Sequence, residues 1–216
     1  SSTNTNAGIL ELEKAYNVIK KYPEVVALYI ATRPDCIDEE KLELIAGFKK
    51  DYEVWIEYGV QTIHEKTLKF INRGHTFAQS VNAINRTARK GIKVGAHLML
   101  GLPGETKKDM IATAKEISKL PVSGVKLHVL HVLKGTRLEE MYNEGKIKLL
   151  DKTEYVGIVC DFLENLKSDC VILRLVSDAK DEVLIAPKWI NDKLSVINAI
   201  DREFASRGTK QGSACA

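Results

Sequence analysis

Apolar residues recur along the chain at two spacings, one typical of helices and one typical of strands. Residues 9–19 place apolar side chains three and four positions apart, which predicts a helix that ends before Pro23. Short apolar runs at 25–30 and 53–60 predict strands. Five strands with a helix between each consecutive pair indicate a parallel sheet with right-handed crossovers. The other predicted strands are 94–100, 124–133 and 171–176, and the other predicted helices are 38–48, 76–90, 106–120, 136–143, 153–166 and 190–206.

Within the last four strands, apolar side chains alternate with polar ones. Strands buried between two helix layers are apolar on both faces, so this sheet is expected to have helices on one face only. A barrel lumen that holds a polar ligand and an open sheet with one solvated face both fit the pattern. The polar side chains that share the second face include Glu57, Gln61, His97, Lys126, His128 and Arg174.

The composition is that of a globular chain and excludes several classes of protein. Of the 216 residues, 44% are hydrophobic and 28% are charged, which suits one domain or one and a half. A complete eight-stranded α/β barrel needs roughly 250 residues and would be tight here. The net charge of +3 is too small to indicate a nucleic-acid or membrane surface, and no apolar stretch approaches the roughly 18 residues of a membrane span.

Four cysteines are scattered at positions 36, 160, 170 and 215, and no two have the Cys-x-x-Cys spacing. A chain of this length needs no disulfide framework, so we expect free thiols, buried or incidental, in a reducing compartment. The first residues contain neither an initiator methionine nor an apolar signal segment. We therefore expect a cytoplasmic protein whose chain begins upstream of Ser1.

Residues that follow the predicted strands supply a candidate binding site. Thr32 follows the first strand, Gln61 the second, and a Gly-Leu-Pro-Gly segment at 101–104 the third. Arg73 lies in a loop between two predicted helices, where the chain crosses the same edge. Ligands of parallel α/β folds bind at the carboxyl ends of the strands. These residues are therefore predicted to face one crevice.

The loop residues of this crevice also have plain structural explanations. The 101–104 segment has neither the Walker pattern nor Gly-x-Gly-x-x-Gly, and with Thr106 and Asp109 it also fits a turn followed by a helix cap. Its glycines would let a ligand approach the backbone closely. Arg73 fits either a carboxylate-binding role or a helix-capping role.

The strand residues allow alternatives as well. Glu57 and Gln61 fit hydrogen bonds to a ribose or an amine, and they equally fit an exposed surface. His128 and His131 are three apart, so on one strand they point to opposite faces and do not share a metal ion. His97 and His128 share a face, where hydrogen-bonded side chains are more common than metal ligands.

Several longer segments together resemble one known family. Glu-Tyr-Gly-Val-Gln stands at 57–61, Asn-Arg-Gly-His at 72–75 and His-Leu-Met-Leu-Gly-Leu-Pro-Gly-Glu at 97–105. With these motifs the chain closely resembles the radical S-adenosylmethionine (SAM) enzymes of the YhcC-type branch, which is related to elongator-type tRNA modification enzymes and oxygen-independent coproporphyrinogen oxidases. Further similar segments lie at 32–36, 125–132, 134–136, 186–189 and 198–203.

The resemblance implies an α/β fold, a partial (β/α)6 TIM-like barrel of which about five parallel strands and the flanking helices are retained. Residues 1–150 would form the carboxyl-terminal portion of the barrel, and 151–216 its last strand with a helical extension. The resemblance assigns SAM binding to Thr32, Glu57, Gln61, Arg73, His97, Gly101, Leu102, Pro103 and Gly104. It places Lys126, His128 and His131 near the substrate or adenine, and with Arg174 they weakly indicate a polar or anionic substrate.

The resemblance also implies a reaction for the intact protein. A [4Fe–4S] cluster would cleave SAM reductively to methionine and a 5′-deoxyadenosyl radical, which acts on an unknown substrate. An electron donor such as flavodoxin or ferredoxin would be the partner. No catalytic residue is assigned.

Two hallmarks of the family are missing from this sequence. Neither the Cys-x3-Cys-x2-Cys motif that binds the cluster nor the glycine-rich segment that binds the SAM amine occurs, so we expect no metal ligand in this chain. Both are expected upstream of Ser1, and the chain alone is expected to be inert. Two alternatives stay open: a cluster-free domain that binds a nucleotide-like ligand or a partner protein, and an RNA-modifying enzyme, against which the small net charge argues.

Overall fold

Five strands form the central sheet of residues 4–215, the part of the chain that the computed structural model describes. The strands of this sheet and of a second, smaller one are, in chain order, β1 Ala27–Thr32, β2 Glu53–Gln61, β3 Lys93–Leu100, β4 Gly124–Val129, β5 Val132–Leu133, β6 Val171–Arg174 and β7 Leu184–Ala186. The sheet has the order β1-β2-β3-β4-β6 and all its neighbouring pairs are parallel, which confirms the predicted α/β class. β5 and β7 form a separate antiparallel pair.

Helices connect the strands and cover one face of the sheet. They are α1 Ile9–Asn17, α2 Glu39–Ala46, α3 Glu65–Phe70, α4 Phe77–Arg89, α5 Lys107–Ser118, α6 Arg137–Asn143, α7 Lys152–Glu164 and α8 Lys193–Arg207. Ile56 and Val94 of the sheet pack in one core with Ile84 of α4, Ile117 of α5 and Val159 of α7, all fully buried. Burial of such a side chain stabilises the fold by about 1.5–3 kcal/mol. The division of the chain at residue 150 stays a prediction.

The helices α4 and α5 begin where the sequence predicts. Thr106 accepts a hydrogen bond from the backbone N–H of Asp109, and the Asp109 carboxylate accepts one from the backbone N–H of Thr106 at 2.7 Å. Thr76 and Gln79 form the same capping box at the start of α4. Each box satisfies backbone N–H groups that the first helical turn leaves free. The box at Thr106 fixes how the 101–104 segment enters α5.

Three short features differ from the sequence prediction. The apolar run at 124–133 is not one strand, because the chain turns after Val129: the N–H of Leu130 donates to the carbonyl of Leu100 at 3.0 Å, and Nδ1 of His131 donates to the carbonyl of Val129 at 3.0 Å. The pattern does not predict α3 or β7, since six and three residues are too few to show a periodicity.

The face of the sheet opposite to the helices is polar, as the alternation predicts. His97 of β3 pairs in register with Lys126 of β4, and Lys126 pairs with Arg174 of β6. Glu57 of β2 lies one row nearer the amino ends of the strands, and His128 of β4 lies one row nearer the carboxyl ends. We call the surface made by these five residues the polar face.

Candidate functional site

A cavity of about 610 Å³ opens at the carboxyl ends of β2 and β3. Two amides, Gln61 and Asn72, and two arginines, Arg73 and Arg137, contribute its polar wall. In the part of the chain that the structure describes, no acidic residue lines it. Such a cavity suits a ligand with an apolar or aromatic body and an anionic group. The apolar lining residues are Phe70, Ile71, Met99, Leu102, Pro103, Leu130, Leu138 and Met141.

Arg73 places a half-buried positive charge at this cavity, and it has no carboxylate partner among the described residues. Its Nε and Nη2 donate to the carbonyl of Gly59 at 3.2 and 2.8 Å, and no ion pair joins it to an acidic side chain within residues 4–215. Burial and the nearby charge of Arg33 lower the pKa of Arg73, and Asp35 opposes this. Asp35 is already engaged by Arg33 at 2.6 Å. The remaining N–H groups of Arg73 can therefore donate to an anionic ligand group.

The end of β2 is bent in a way that brings Arg73 and Gln61 to the cavity. The pairing of β2 with β3 shifts between Gly59 and Gln61, and Gln61 has a φ of 71°, which is uncommon for a residue with a side chain. A Cβ atom on Gly59 would collide with the Arg73 guanidinium and lie 2.9 Å from Nε2 of Gln61. His75 also donates to the Gly59 carbonyl, from Nε2 at 3.2 Å. Only glycine at position 59 leaves room for this arrangement.

The 101–104 segment is both a capped turn and part of the cavity wall. Its two glycines have φ values of 80° and 82°, which glycine adopts at no steric cost. Leu102 is almost fully buried and, with Pro103, lines the cavity. The hydroxyl of Thr62 donates to Oε1 of Glu105 at 2.6 Å, and burial raises the pKa of Glu105. This bond ties the segment to the loop after β2.

One carboxylate organises the centre of the polar face. Nζ of Lys126 and Nε2 of His97 both donate to Oε2 of Glu57, at 2.6 and 2.8 Å, and the Glu57 side chain is only 5% exposed. Burial opposes ionisation of Glu57, but these two hydrogen bonds outweigh it and lower the pKa to about 2. The other oxygen, Oε1, is buried and has no hydrogen-bond partner in residues 4–215. Glu57 is thus an ionised carboxylate that holds side chains of two neighbouring strands.

His128 lies beside this cluster in its neutral form. Its ring stacks on that of His97, with centroids 5.4 Å apart. Burial lowers the pKa of His128 to about 4, and the positive charges of His97, Arg174 and Lys126 act in the same direction. Its Nε2 atom is buried and has no hydrogen-bond partner among the described residues.

The structure distributes the predicted site residues over two adjoining surfaces. Gln61, Arg73, Leu102 and Pro103 line the cavity, and Gly101 and Gly104 flank these last two. Thr32 is buried, and its hydroxyl is hydrogen-bonded to that of Thr5. Glu57, His97, Lys126, His128 and Arg174 form the polar face, and His131 lies in the turn after β4. The assigned binding roles stay predictions.

Some residues that line the cavity are not among those that the sequence predicts. Asn72 has a φ of 51° and directly precedes Arg73, so the Asn-Arg-Gly-His motif could have indicated it as a cavity residue. Arg137, Leu138 and Met141 come from α6, which the sequence predicts as a helix. Nothing in their spacing indicates that α6 closes over the cavity.

The cysteines do not fit an iron–sulfur cluster. Cys160 and Cys170 are buried, and burial raises the pKa of their thiols to about 11 and about 12, whereas thiolates are the cluster ligands. Cys36 is half-buried and Cys215 is exposed. No group of three or more His, Cys, Asp or Glu side chains within residues 4–215 is arranged to hold a metal ion.

A parallel sheet with helices on one face and a cavity at its carboxyl edge places the chain in the α/β class, in which ligands commonly bind at that edge. Comparison with protein families makes this class specific: the Radical SAM superfamily model matches residues 2–117, and the Radical SAM C-terminal domain model matches residues 122–206. The chain belongs to the radical SAM superfamily. The family generally uses SAM and a [4Fe–4S] cluster.

Several relatives align with much or nearly all of this sequence. The chain is 43% identical over 213 residues to protein MJ0486 of Methanocaldococcus jannaschii and 32% identical over 213 residues to YhcC of Escherichia coli K12. Both alignments cover 98% of this chain, and 66% and 69% of the relatives, so the chain spans about two thirds of their length. It is also 35% identical over 137 residues to the tRNA uridine(34) acetyltransferase of M. jannaschii, which covers 62% of this chain and 25% of that enzyme.

Solved structures confirm the expected fold. Elp3 of Methanocaldococcus infernus superposes with a TM-score of 0.80 at 22% identity, covering 98% of this chain and 54% of that one. The coproporphyrinogen III oxidase HemN of E. coli gives a TM-score of 0.54 at 14% identity, covering 96% and 39%. The sheet and its helices are therefore part of a radical SAM, TIM-barrel-like fold. None of the helices in residues 4–215 is both long and apolar enough to cross a membrane.

Proposed function

We propose that this chain binds SAM in the cavity and forms the carboxyl-terminal part of the barrel of a radical SAM enzyme. The observation that carries the proposal is that Arg73, a half-buried cation, has no acidic partner and lies in a cavity that no acidic side chain lines, within residues 4–215. The carboxylate of SAM supplies the missing anion, and Arg recognises carboxylates by paired N–H groups.

The rest of the cavity suits the other parts of SAM. Gln61 lies beside Arg73 and offers an amide to the amino-acid end of the ligand. Met99, Leu102 and Leu130 provide apolar surface for an adenine ring. Thr32, Glu57 and His97 do not line the cavity, and their assignment to SAM binding is proposed on the resemblance alone.

The radical chemistry of the whole protein would come from SAM and a cluster, which together provide a 5′-deoxyadenosyl radical. The contribution of this chain's residues is to bind and orient SAM and to exclude water around it. Because the four cysteines do not fit a cluster, we propose that the cluster ligands and the contact with an electron donor such as flavodoxin or ferredoxin lie outside this sequence.

Calorimetry with two SAM-related ligands tests the proposal. S-adenosylhomocysteine has the carboxylate, whereas 5′-methylthioadenosine lacks the whole amino-acid part. The expected result is tighter binding of S-adenosylhomocysteine to the chain and loss of that advantage in Arg73→Gln. Arg202→Gln is the matched control, because Arg202 is exposed on α8 and its side chain bonds to its own helix. Equal binding of the two ligands to the unaltered chain would contradict the role of Arg73.

Anaerobic reconstitution tests the assignment of the cluster. The chain is treated with iron and sulfide, then with reductant and SAM, and 5′-deoxyadenosine is measured. We expect none, since no three thiols converge within residues 4–215. Turnover would show that this chain does ligate a working cluster.

The alternative of an RNA-modifying enzyme draws on the tRNA uridine(34) acetyltransferase relative only. The net charge of +3 provides a weak phosphate-binding surface. We therefore propose SAM binding without a direct role of this chain in RNA binding, and salt-sensitive retention of tRNA by the chain would argue for the alternative.

A further inference from the structure

The polar face has more positive than negative groups. Glu57 is its one carboxylate, and a single oxygen of Glu57 already serves both Lys126 and His97. Arg174 is exposed and makes no hydrogen bond or ion pair with any residue that the structure describes. Glu57 offsets the charge of Lys126, which leaves the charge of Arg174 uncompensated.

The groups around Arg174 do not remove this surplus. Its charge acts on His128, which is neutral, and on Asp178. Oδ2 of Asp178 lies 2.8 Å from Nζ of Lys193, so that carboxylate already has a cationic partner. The positive electrostatic potential of such a charge surplus on a protein surface attracts anions.

The polar face directly adjoins the proposed SAM cavity. Met99 lines the cavity and pairs in register with His128, and His97 with Lys126 is the pair two residues earlier, on the same face of the sheet. A ligand in the cavity and one on the polar face would therefore lie next to each other. SAM itself carries one carboxylate, one ammonium and one sulfonium, so it does not supply the negative charge that the polar face lacks.

We propose that the polar face is the substrate subsite and that it binds an anionic oxygen group, a carboxylate or a phosphate, through Arg174 and Lys126. Glu57 holds the Lys126 ammonium at the centre of the subsite and reduces its affinity for anions. The assignment of this ligand as the substrate rests on the proposed binding of SAM in the neighbouring cavity. The anion site itself does not depend on it.

Histidine NMR tests the site with two probes, succinate and inorganic phosphate, titrated separately at constant ionic strength. The full chain is labelled with 15N in its histidines, and the ring signal of His128 is the reporter. His64 is the internal reference, because its Nε2 donates to the Asp109 carbonyl at 3.0 Å, away from the polar face. We expect a saturable shift at His128 with at least one probe, and the probe that binds identifies a carboxylate or a phosphate site.

Three variants are expected to change the affinity for the probe differently: one weakens it, one strengthens it and one leaves it unchanged. Arg174→Gln removes a charged donor and should weaken binding of the probe about tenfold. Glu57→Gln removes the one negative charge while its amide oxygen still accepts from Lys126, so binding should become several-fold tighter. Arg202→Gln should leave the affinity unchanged. A general loss of structure cannot tighten binding, which separates the electrostatic effect from misfolding.

The outcomes also separate this proposal from the binding of SAM. Arg73→Gln should abolish the preference for S-adenosylhomocysteine and leave the probe titration at His128 intact. The anion subsite is refuted if neither probe shifts His128 saturably, or if Arg174→Gln binds the probe as the unaltered chain does. Binding of the probe without any binding of SAM would retain the anion site and overturn the proposed function.

Discussion

Gly59→Ala is the substitution that tests the geometry of the cavity most sharply. The φ angle of Gly59 is outside the left-handed region, so the backbone itself accepts alanine. The added methyl group, however, would occupy the space of the Arg73 guanidinium and lie 2.9 Å from Nε2 of Gln61. Arg73 must then move away from the Gly59 carbonyl, to which it now donates two hydrogen bonds.

The size of the effect follows from the interaction that is lost. A hydrogen bond to a charged group is worth about 1.5–3 kcal/mol, which corresponds to roughly 10–150-fold in Kd. We expect the affinity for S-adenosylhomocysteine to fall by this factor, while the affinity for 5′-methylthioadenosine changes little. Overpacking should also lower the free energy of unfolding by about 1–3 kcal/mol.

Isothermal titration calorimetry and urea unfolding measure the two effects. Gly47→Ala is the matched control, because no atom lies within 4 Å of its added methyl group and its φ of −57° is helical. That variant should bind normally and unfold at the same or slightly higher urea concentration. If Gly59→Ala binds S-adenosylhomocysteine as well as the control does, the bend in β2 does not position Arg73 for the ligand carboxylate.

Three further changes test the electrostatics and the packing. Burial lowers the pKa of His128 to about 4, so between about pH 6.5 and pH 4 the unfolded chain takes up a proton on this side chain while the folded chain does not. The free energy of unfolding should therefore decrease as the pH falls through this range, and it should decrease less in His128→Gln. Urea unfolding at several pH values measures this. Thr106→Ala removes a cap and should cost about 1 kcal/mol of unfolding free energy, whereas Thr106→Ser should cost less. Tyr58→Phe leaves the buried hydroxyl of Thr87 without its hydrogen-bond partner at 2.7 Å and should lower the free energy of unfolding by about 1–3 kcal/mol. An unchanged stability would show that the Thr87 hydroxyl finds another partner.

The layout of the sheet could be predicted because four of its five strands carry a period-two signal and the first is a short apolar run. The alternation around Glu57, His97 and Lys126 indicated that these side chains share a face, and the structure joins them on one carboxylate oxygen. The capping pair of Thr106 and Asp109 indicated the start of one helix, since a side-chain cap depends on residues only three positions apart. Both kinds of feature are determined by residues that lie close together in the sequence.

The full wall of the cavity could not be predicted, because it depends on contacts between distant segments. Arg137 and Met141 reach the cavity only because α6 folds over it, and no local pattern determines that approach. The resemblance placed Glu57 with the SAM-binding residues, whereas its buried position and its bonds to His97 and Lys126 are visible only in three dimensions. The turn after Val129 likewise depends on the carbonyl of Leu100.

Methionine NMR tests the central claim, binding of SAM in this cavity, most directly. The chain contains three methionines: Met99 and Met141 line the cavity, and Met110 is buried in the core between α5 and the sheet. With 13C-labelled methyl groups and increasing SAM, the signals of Met99 and Met141 should shift with one common Kd. The signal of Met110, which does not line the cavity but whose Sδ accepts a hydrogen bond from the N–H of Gly101 at 3.2 Å, should shift much less. Unchanged Met99 and Met141 signals at saturating SAM, or equal shifts of all three, would contradict the account.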